Sequence, residues 1–224
     1  MTMVDIERDS RWAELRRYKR EGKEDCEQWV NGTRALRAGD WQGALAACSA
    51  RHDPLLLWLQ PTRDVLSFIG EVARRLGIRH LVSVGCGSGL FEWLLASATG
   101  LEVKGLEVNR GWWESRYSPP TFLNLVFPDD DRDHQTVEEE LQGREDAGIM
   151  FCYFNDTSAF LAYLGVFRGR ALLVAGPGPG RTDAHCHPQP FCASIPAPWT
   201  LHSSAAIGST GDFVAVYTRC DEMS

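Results

Sequence analysis

Three groups of residues have the types and spacing to do chemistry. The first is Val82-Ser83-Val84-Gly85-Cys86-Gly87-Ser88-Gly89, where an apolar run meets alternating glycines and then a helical stretch. Glycines admit backbone dihedrals closed to other residues and let a ligand approach the main chain closely. The helix that follows offers free N–H groups and the positive end of its dipole to an anionic group. Glu107 follows Gly85 by 22 residues, at the end of the next predicted strand. A carboxylate there accepts hydrogen bonds from both hydroxyls of a ribose. Turn and acid together imply an adenosine-containing ligand across the carboxyl ends of the strands.

The second group is Asn155-Asp156, after a later apolar run. These types suit a polar site, and they equally suit the cap of the helix predicted from Ser158; both uses stand open. The third is His185-Cys186-His187 with Cys192. A metal wants about four ligands converging at roughly 2.0–2.3 Å. Neighbouring residues on a Pro-rich loop do not converge in that way, so no metal is expected. The alternative is a loop over the ligand mouth with imidazoles near a bound molecule. Asp129–Asp133 reads as a solvated acidic run and Glu138–Glu140 as an exposed helix face. Trp112 and Trp113 either cover a bound base or pack internally.

The elements that must position these residues follow from periodicity. Spacings of three and four predict helices over 24–37 and 41–50, the second capped by Asp40. Gly39–Leu45 has the look of one tetratricopeptide helix start, but no second copy follows at about 34 residues, leaving a single amphipathic helix on the main domain. Residues 1–20 carry only a thin apolar stripe. Val65, Phe68, Ile69, Val72 and Leu76 predict a helix over 61–76, stopped at Gly77. From His80 short apolar runs alternate with helical stretches. Strands are predicted over 80–84, 103–108, 122–127, 149–154 and 171–175, and helices over 90–98, 136–142 and 158–167. Near-continuous apolar strands separated by helices indicate a parallel sheet covered on both faces. Residues 201–207 and 213–217, around a turn at Gly208–Gly211, predict an antiparallel hairpin. The fold class is therefore α/β, a doubly wound, mostly parallel sheet with a C-terminal antiparallel hairpin. Residues 1–60 read as a helical extension and 61–224 as the Rossmann-like domain.

Composition sets the outer bounds. The 224 residues are 44% apolar and 24% charged, with 8 tryptophans, which is a globular chain with material for a core. The net charge of −7 gives no general attraction to nucleic acid or anionic lipid. No apolar run reaches the roughly 18 residues of a membrane span, and the charged start lacks the pattern of a targeting peptide. The 7 cysteines are odd in number, scattered and without Cys-x-x-Cys. That pattern predicts reduced thiols in the cytoplasm or nucleus.

Gly-x-Gly-x-Gly over Gly85–Gly89, followed by Glu107, resembles motif I and the ribose acid of the class I S-adenosylmethionine-dependent methyltransferases. The resemblance spans roughly residues 78–219 in element order, including the terminal hairpin. It implies S-adenosylmethionine as cofactor. Gly85, Cys86 and Gly87 would line its methionine part, Glu107 would bind the ribose and Val108 would pack on the adenine. Asn155 and Asp156 would stand where methyl donor and acceptor meet, with Asp156 as general base and His185 or His187 behind it. Asp129 or Asp130 would face the adenine amino group. Two departures from the family matter. Ser83 stands where an acid usually lies, two places before the first glycine, which implies a weaker hold on the cofactor's amino group. Phe154-Asn155-Asp156-Thr157 replaces the Asn-Pro-Pro-Tyr signature of amide and base N-methyltransferases.

Two functions follow from the resemblance. One is methyl transfer to an acceptor the sequence does not identify. The other is a catalytically silent module that binds S-adenosylmethionine, a protein partner through its N-terminal helices, or both. A nicotinamide-dependent dehydrogenase is disfavoured, because Leu90 occupies the third glycine position of the dinucleotide motif.

Overall fold

The computed structural model describes residues 35–36, 38–50, 56–181 and 186–219. The expected helix over 24–37, apart from Ala35 and Leu36, lies outside them, as do residues 1–20 and His185. The described elements begin with helix α1 (Trp41–Ala50), where Asp40 accepts a hydrogen bond from the Gly43 N–H at 3.0 Å, the expected capping role. Helix α2 (Arg63–Leu76) begins two residues later than predicted. The Thr62 hydroxyl accepts from the Val65 N–H, so Thr62 is the cap and Pro61 precedes it. Gly77, at φ 67°, ends the helix as expected.

Seven strands then form one sheet: β1 (His80–Val84), β2 (Glu102–Leu106), β3 (Leu125–Val126), β4 (Ala147–Cys152), β5 (Ala171–Pro177), β6 (Trp199–Ile207) and β7 (Asp212–Arg219). Their spatial order is β3-β2-β1-β4-β5-β7-β6. The β1–β2, β2–β3, β1–β4 and β4–β5 pairs are parallel, and β7 runs antiparallel to both β5 and β6. The intervening helices are α3 (Leu90–Thr99), α4 (Arg110–Trp113), α5 (His134–Gln142) and α6 (Thr157–Val166). This is the doubly wound, mostly parallel sheet with a reversed terminal hairpin that the alternating pattern predicts.

Strand side chains alternate between two hydrophobic clusters because the strand period is two. On one face Leu81, Met150 and Leu173 pack against α2 and α3 through Ile69, Leu94 and Leu95. Ala44 and Leu45 of α1, with Leu56, Leu57 and Leu59, join the same cluster. On the other face Val82, Phe151 and Val174 meet Leu141 of α5 and Phe160 and Leu164 of α6. Phe151 and Phe160 touch edge to face, 4.9 Å between centroids. Burying each such ring or Leu completely contributes about 1.5–3 kcal/mol.

The chain winds outward from β1 through β2 to β3, then returns to place β4 on the other side of β1. Between β1 and β4 the crossovers therefore leave in opposite directions. Their carboxyl ends open the crevice where open α/β sheets bind ligands.

Candidate functional site

That crevice is a cavity of about 820 Å³, within the size range of small-molecule sites. Gly85, Cys86, Gly87, Glu107, Val108, Asn155 and Asp156, brought forward from sequence, all line it. They come from three places: the turn after β1, the end of β2 and the end of β4. The segment 56–59 and α6 supply further walls through Leu56, Trp58 and Tyr163.

The glycine turn has the form its composition predicts. Gly85, Gly87 and Gly89 lie at φ 69°, 61° and 73°, the left-handed region that disfavours side chains. The Gly85 N–H donates to the Leu106 carbonyl at 2.8 Å, which moors the turn to β2. A Cβ on Gly85 would strike the Phe154 ring at 2.9 Å, whereas one on Gly87 would meet nothing within 4 Å. Gly87 is therefore the point where a ligand can come down onto the backbone.

Glu107 stands one residue past β2. Its Oε1 accepts from the Gly87 N–H at 2.6 Å and its Oε2 from the Val108 N–H at 3.2 Å. The Trp113 side chain also hydrogen-bonds it. Burial pushes its carboxyl up, and these three donors pull it back. A carboxylate has about four acceptor positions, so one remains for a hydroxyl. Val108 beside it presents an exposed apolar face (58% accessible). The Cys86 thiol is pushed well up by burial and by the acids Glu92 and Glu107, so it is a neutral lining group.

At the β4 end Asp156 takes the capping role. Its Oδ1 accepts from the Ala159 N–H at 2.9 Å, the first turn of α6. The expected strand 149–154 stops at Cys152, because Tyr153 turns into the left-handed region at φ 50°. Such a conformation in a bulky residue costs about 1–3 kcal/mol and is held only by its surroundings. Here the Tyr153 hydroxyl donates to Asp212 Oδ1 at 2.8 Å, and Arg181 pairs with the same oxygen at 3.1 Å. Burial, then Asp212, raises the Tyr153 phenol, which keeps its proton. Trp58, 68% accessible, stacks on the Tyr153 ring at 6.3 Å. Sequence patterns gave no hint of Tyr153 or Trp58, since one sits in a strand-like apolar run and the other before a helix.

The acids after β3 are used within the chain. Asp129 accepts from the Asn109 N–H at 2.9 Å, and Asp130 and Asp133 both pair with Arg110 at 2.6 Å. Neither Asp129 nor Asp130 lines the cavity. Trp113 does, and Trp112 is exposed. In the long connection Cys186 is buried with its thiol donating to the Pro188 carbonyl, and the His187 N–H donates to the Phe154 carbonyl at 2.7 Å. Among the described residues no three His, Cys, Asp or Glu side chains gather as a metal site.

Glu92, in the first turn of α3, is an acid that the sequence reading passed over. It also lines the cavity and is only 1% accessible. Burial pushes its carboxyl up to about 7, against the hydrogen bonds from Ser83 and its own backbone N–H. The cavity lining thus holds three acids, Glu92, Glu107 and Asp156, and among the described residues no Lys, Arg or His.

No protein-family model matches the sequence, and no curated protein matches it. Some solved structures are similar at low sequence identity. An O-methyltransferase from Bacillus cereus, solved with S-adenosylhomocysteine (SAH), is 12% identical over 92% of this chain and 97% of its own, with TM-score 0.49. A methyltransferase from Geobacter sulfurreducens is 13% identical over 80% of this chain and 88% of its own, with TM-score 0.47. The methyltransferase domain of bacterial CtHen1-C is 13% identical over 70% of this chain and 97% of its own, with TM-score 0.42. What the strand order and the reversed β7 define is the architecture: a doubly wound, mostly parallel α/β sheet closed by an antiparallel hairpin.

Proposed function

We propose that the protein binds S-adenosylmethionine in this cavity and transfers its methyl group to an acceptor placed beside Asn155 and Asp156. The observation that carries this is a glycine turn, tied to the Glu107 carboxylate, at the floor of an acidic cavity without a described basic side chain. A pyrophosphate would meet three acids and no cation there, so a dinucleotide fits poorly. A ligand of net positive charge fits well. The free acceptor position of Glu107 suits a ribose hydroxyl, the open space above Gly87 suits the tail, and the exposed Val108 suits a flat base.

When bound, S-adenosylmethionine supplies a methyl group already activated by its sulfonium charge. The residues of the chain then contribute mainly placement. Glu107 fixes the nucleoside, Gly85, Cys86 and Gly87 contour the tail, and Asn155 orients polar groups at the transfer point. Asp156 accepts a proton from a hydroxyl or ammonium acceptor. The apolar segment 56–59 keeps water from the same space. Titration calorimetry of SAH against wild type and Glu107→Ala tests the assignment. Loss of about 10-fold or more in affinity, from the charge-assisted bond removed, is expected in a variant that keeps its fold. Unchanged affinity refutes the ribose role of Glu107.

A second reading rests on the Asp156 carboxylate, whose Oδ1 is engaged as a helix cap. In it the fold binds the cofactor without turnover and recruits a protein partner through its N-terminal helices. Mass spectrometry of the purified protein for retained cofactor, with labelled methyl transfer into cell extract, separates the two. Binding without transfer to any component favours the silent module.

A further inference from the structure

Glu92 has no conventional explanation within the chain. Its Oε1 accepts from the Ser83 hydroxyl at 2.7 Å, and Ser83 is itself fully buried. Its Oε2 is buried and has no hydrogen-bond partner among the described residues. None of the described ion pairs includes Glu92. Buried carboxylates are normally paired or fully hydrogen-bonded, because a bare charged oxygen away from water is strongly unfavourable. A half-satisfied acid in a cavity wall is explained when its missing partner arrives with a ligand.

The partner's chemistry can be read from the surroundings. A cation fits, since it would draw out the ionised form of an acid that burial alone holds protonated and would occupy its unpartnered oxygen. A divalent metal would need several ligands, and the nearby thiols Cys86 and Cys152 are both pushed up toward the neutral form by burial. No metal-type cluster exists among the described residues. One carboxylate oxygen and one oriented hydroxyl suit a small hydrogen-bond-donating cation, the primary ammonium of an amino acid. The placement agrees: Glu92 lies three residues beyond Gly89 on α3, and Ser83 lies two residues before Gly85 on β1. The two residues bracket the glycine turn.

We propose that Glu92 is the carboxylate that receives the ammonium group of the cofactor's amino-acid tail, with Ser83 as the positioning residue that orients it. The acid missing from position 83 is thus supplied across the turn from the helix. This rests on the S-adenosylmethionine reading of the same cavity.

The test uses two probes, SAH and its deamino analogue, which keeps the nucleoside, thioether and carboxylate but lacks the amino group. Calorimetric titration of the full chain should show wild type binding SAH about 10–100-fold more tightly than the analogue, as expected for one charge-assisted pair. Glu92→Gln should lose SAH affinity by about that factor and leave the analogue within about 2-fold. Ser83→Ala, which keeps the charge, should lose part of the preference. Equal affinity of wild type for the two probes overturns the proposal, and that comparison decides even if a variant fails to fold. A Glu92→Gln protein that retains the full preference, or weakens both probes equally, also overturns it. Failure of wild type to bind either probe refutes the cofactor reading itself, a different outcome from loss of selectivity.

Discussion

Replacing Glu92 by Gln should change how stability depends on pH. The side chain is buried, and its carboxyl is raised from the ordinary 4.5 to about 7 in the folded protein, chiefly by burial. The groups facing it are Ser83 from β1, Glu107 from the end of β2, Cys86 from the turn and Cys152 from β4. None is a cation. The folded state therefore holds the proton up to about pH 7, whereas the unfolded chain releases it near 4.5. Stability conferred by the retained proton is complete below 4.5, declines as pH rises, and is gone above about 7. At 1.36 kcal/mol per decade the whole effect is about 3 kcal/mol, of which about 2.5 kcal/mol falls between roughly pH 5 and roughly pH 8. Urea unfolding followed by circular dichroism, on wild type and Glu92→Gln at both pH values, isolates it as a difference of differences. Other titrating groups cancel to first order. Wild type should lose about 2.5 kcal/mol more than the variant on going to the higher pH. A differential loss below about 0.5 kcal/mol would refute the reasoning, because it would mean that the carboxyl ionises without hindrance in the apo protein.

Gly87→Ala meets no steric obstacle but places a Cβ at φ 61°. It should cost about 1–2 kcal/mol in urea unfolding and weaken SAH binding in calorimetry, because the methyl group enters the cavity; full retention of both stability and affinity would contradict the assigned approach path. Asp156→Asn keeps an N-cap side chain, so stability should stay within about 0.5 kcal/mol, while Asp156→Ala should lose about 1 kcal/mol. If Asp156 is the base, labelled methyl transfer should fall by about 100-fold or more in the Asn variant; a fully active Asp156→Asn protein confines the residue to capping.

The architecture was largely legible because its strongest signals are local. Buried Leu81, Val82 and Val84 lead into glycines, and amphipathic stretches follow at helical spacing. β3 was the weakest strand: 122–127 reads as six strand residues, yet only Leu125 and Val126 pair with β2. The Phe122 N–H donates instead to the Ser88 carbonyl, drawn to the glycine turn by a contact 34 positions away. At the site, Gly85, Gly87 and Glu107 were visible from spacing. Glu92 was not, because an acid in the first turn of a helix is ordinarily a favourable dipole partner on the surface. Its neighbours Phe91, Leu94 and Leu95 held the available signal, an acid inside a continuous buried face. The use of Asp130 and Asp133 to clamp Arg110 joins residues 20 and 23 positions apart, which periodicity does not encode.

Ser88 does more than complete the glycine turn. Its hydroxyl reaches 32 positions back to hold the Leu56 carbonyl at 2.8 Å, so the roof over the cavity hangs from the same loop that forms its floor. Aperture and cradle are thereby geared together. That one bond ties the segment just upstream of α2 to the glycine turn, so two walls of the cavity share an anchor.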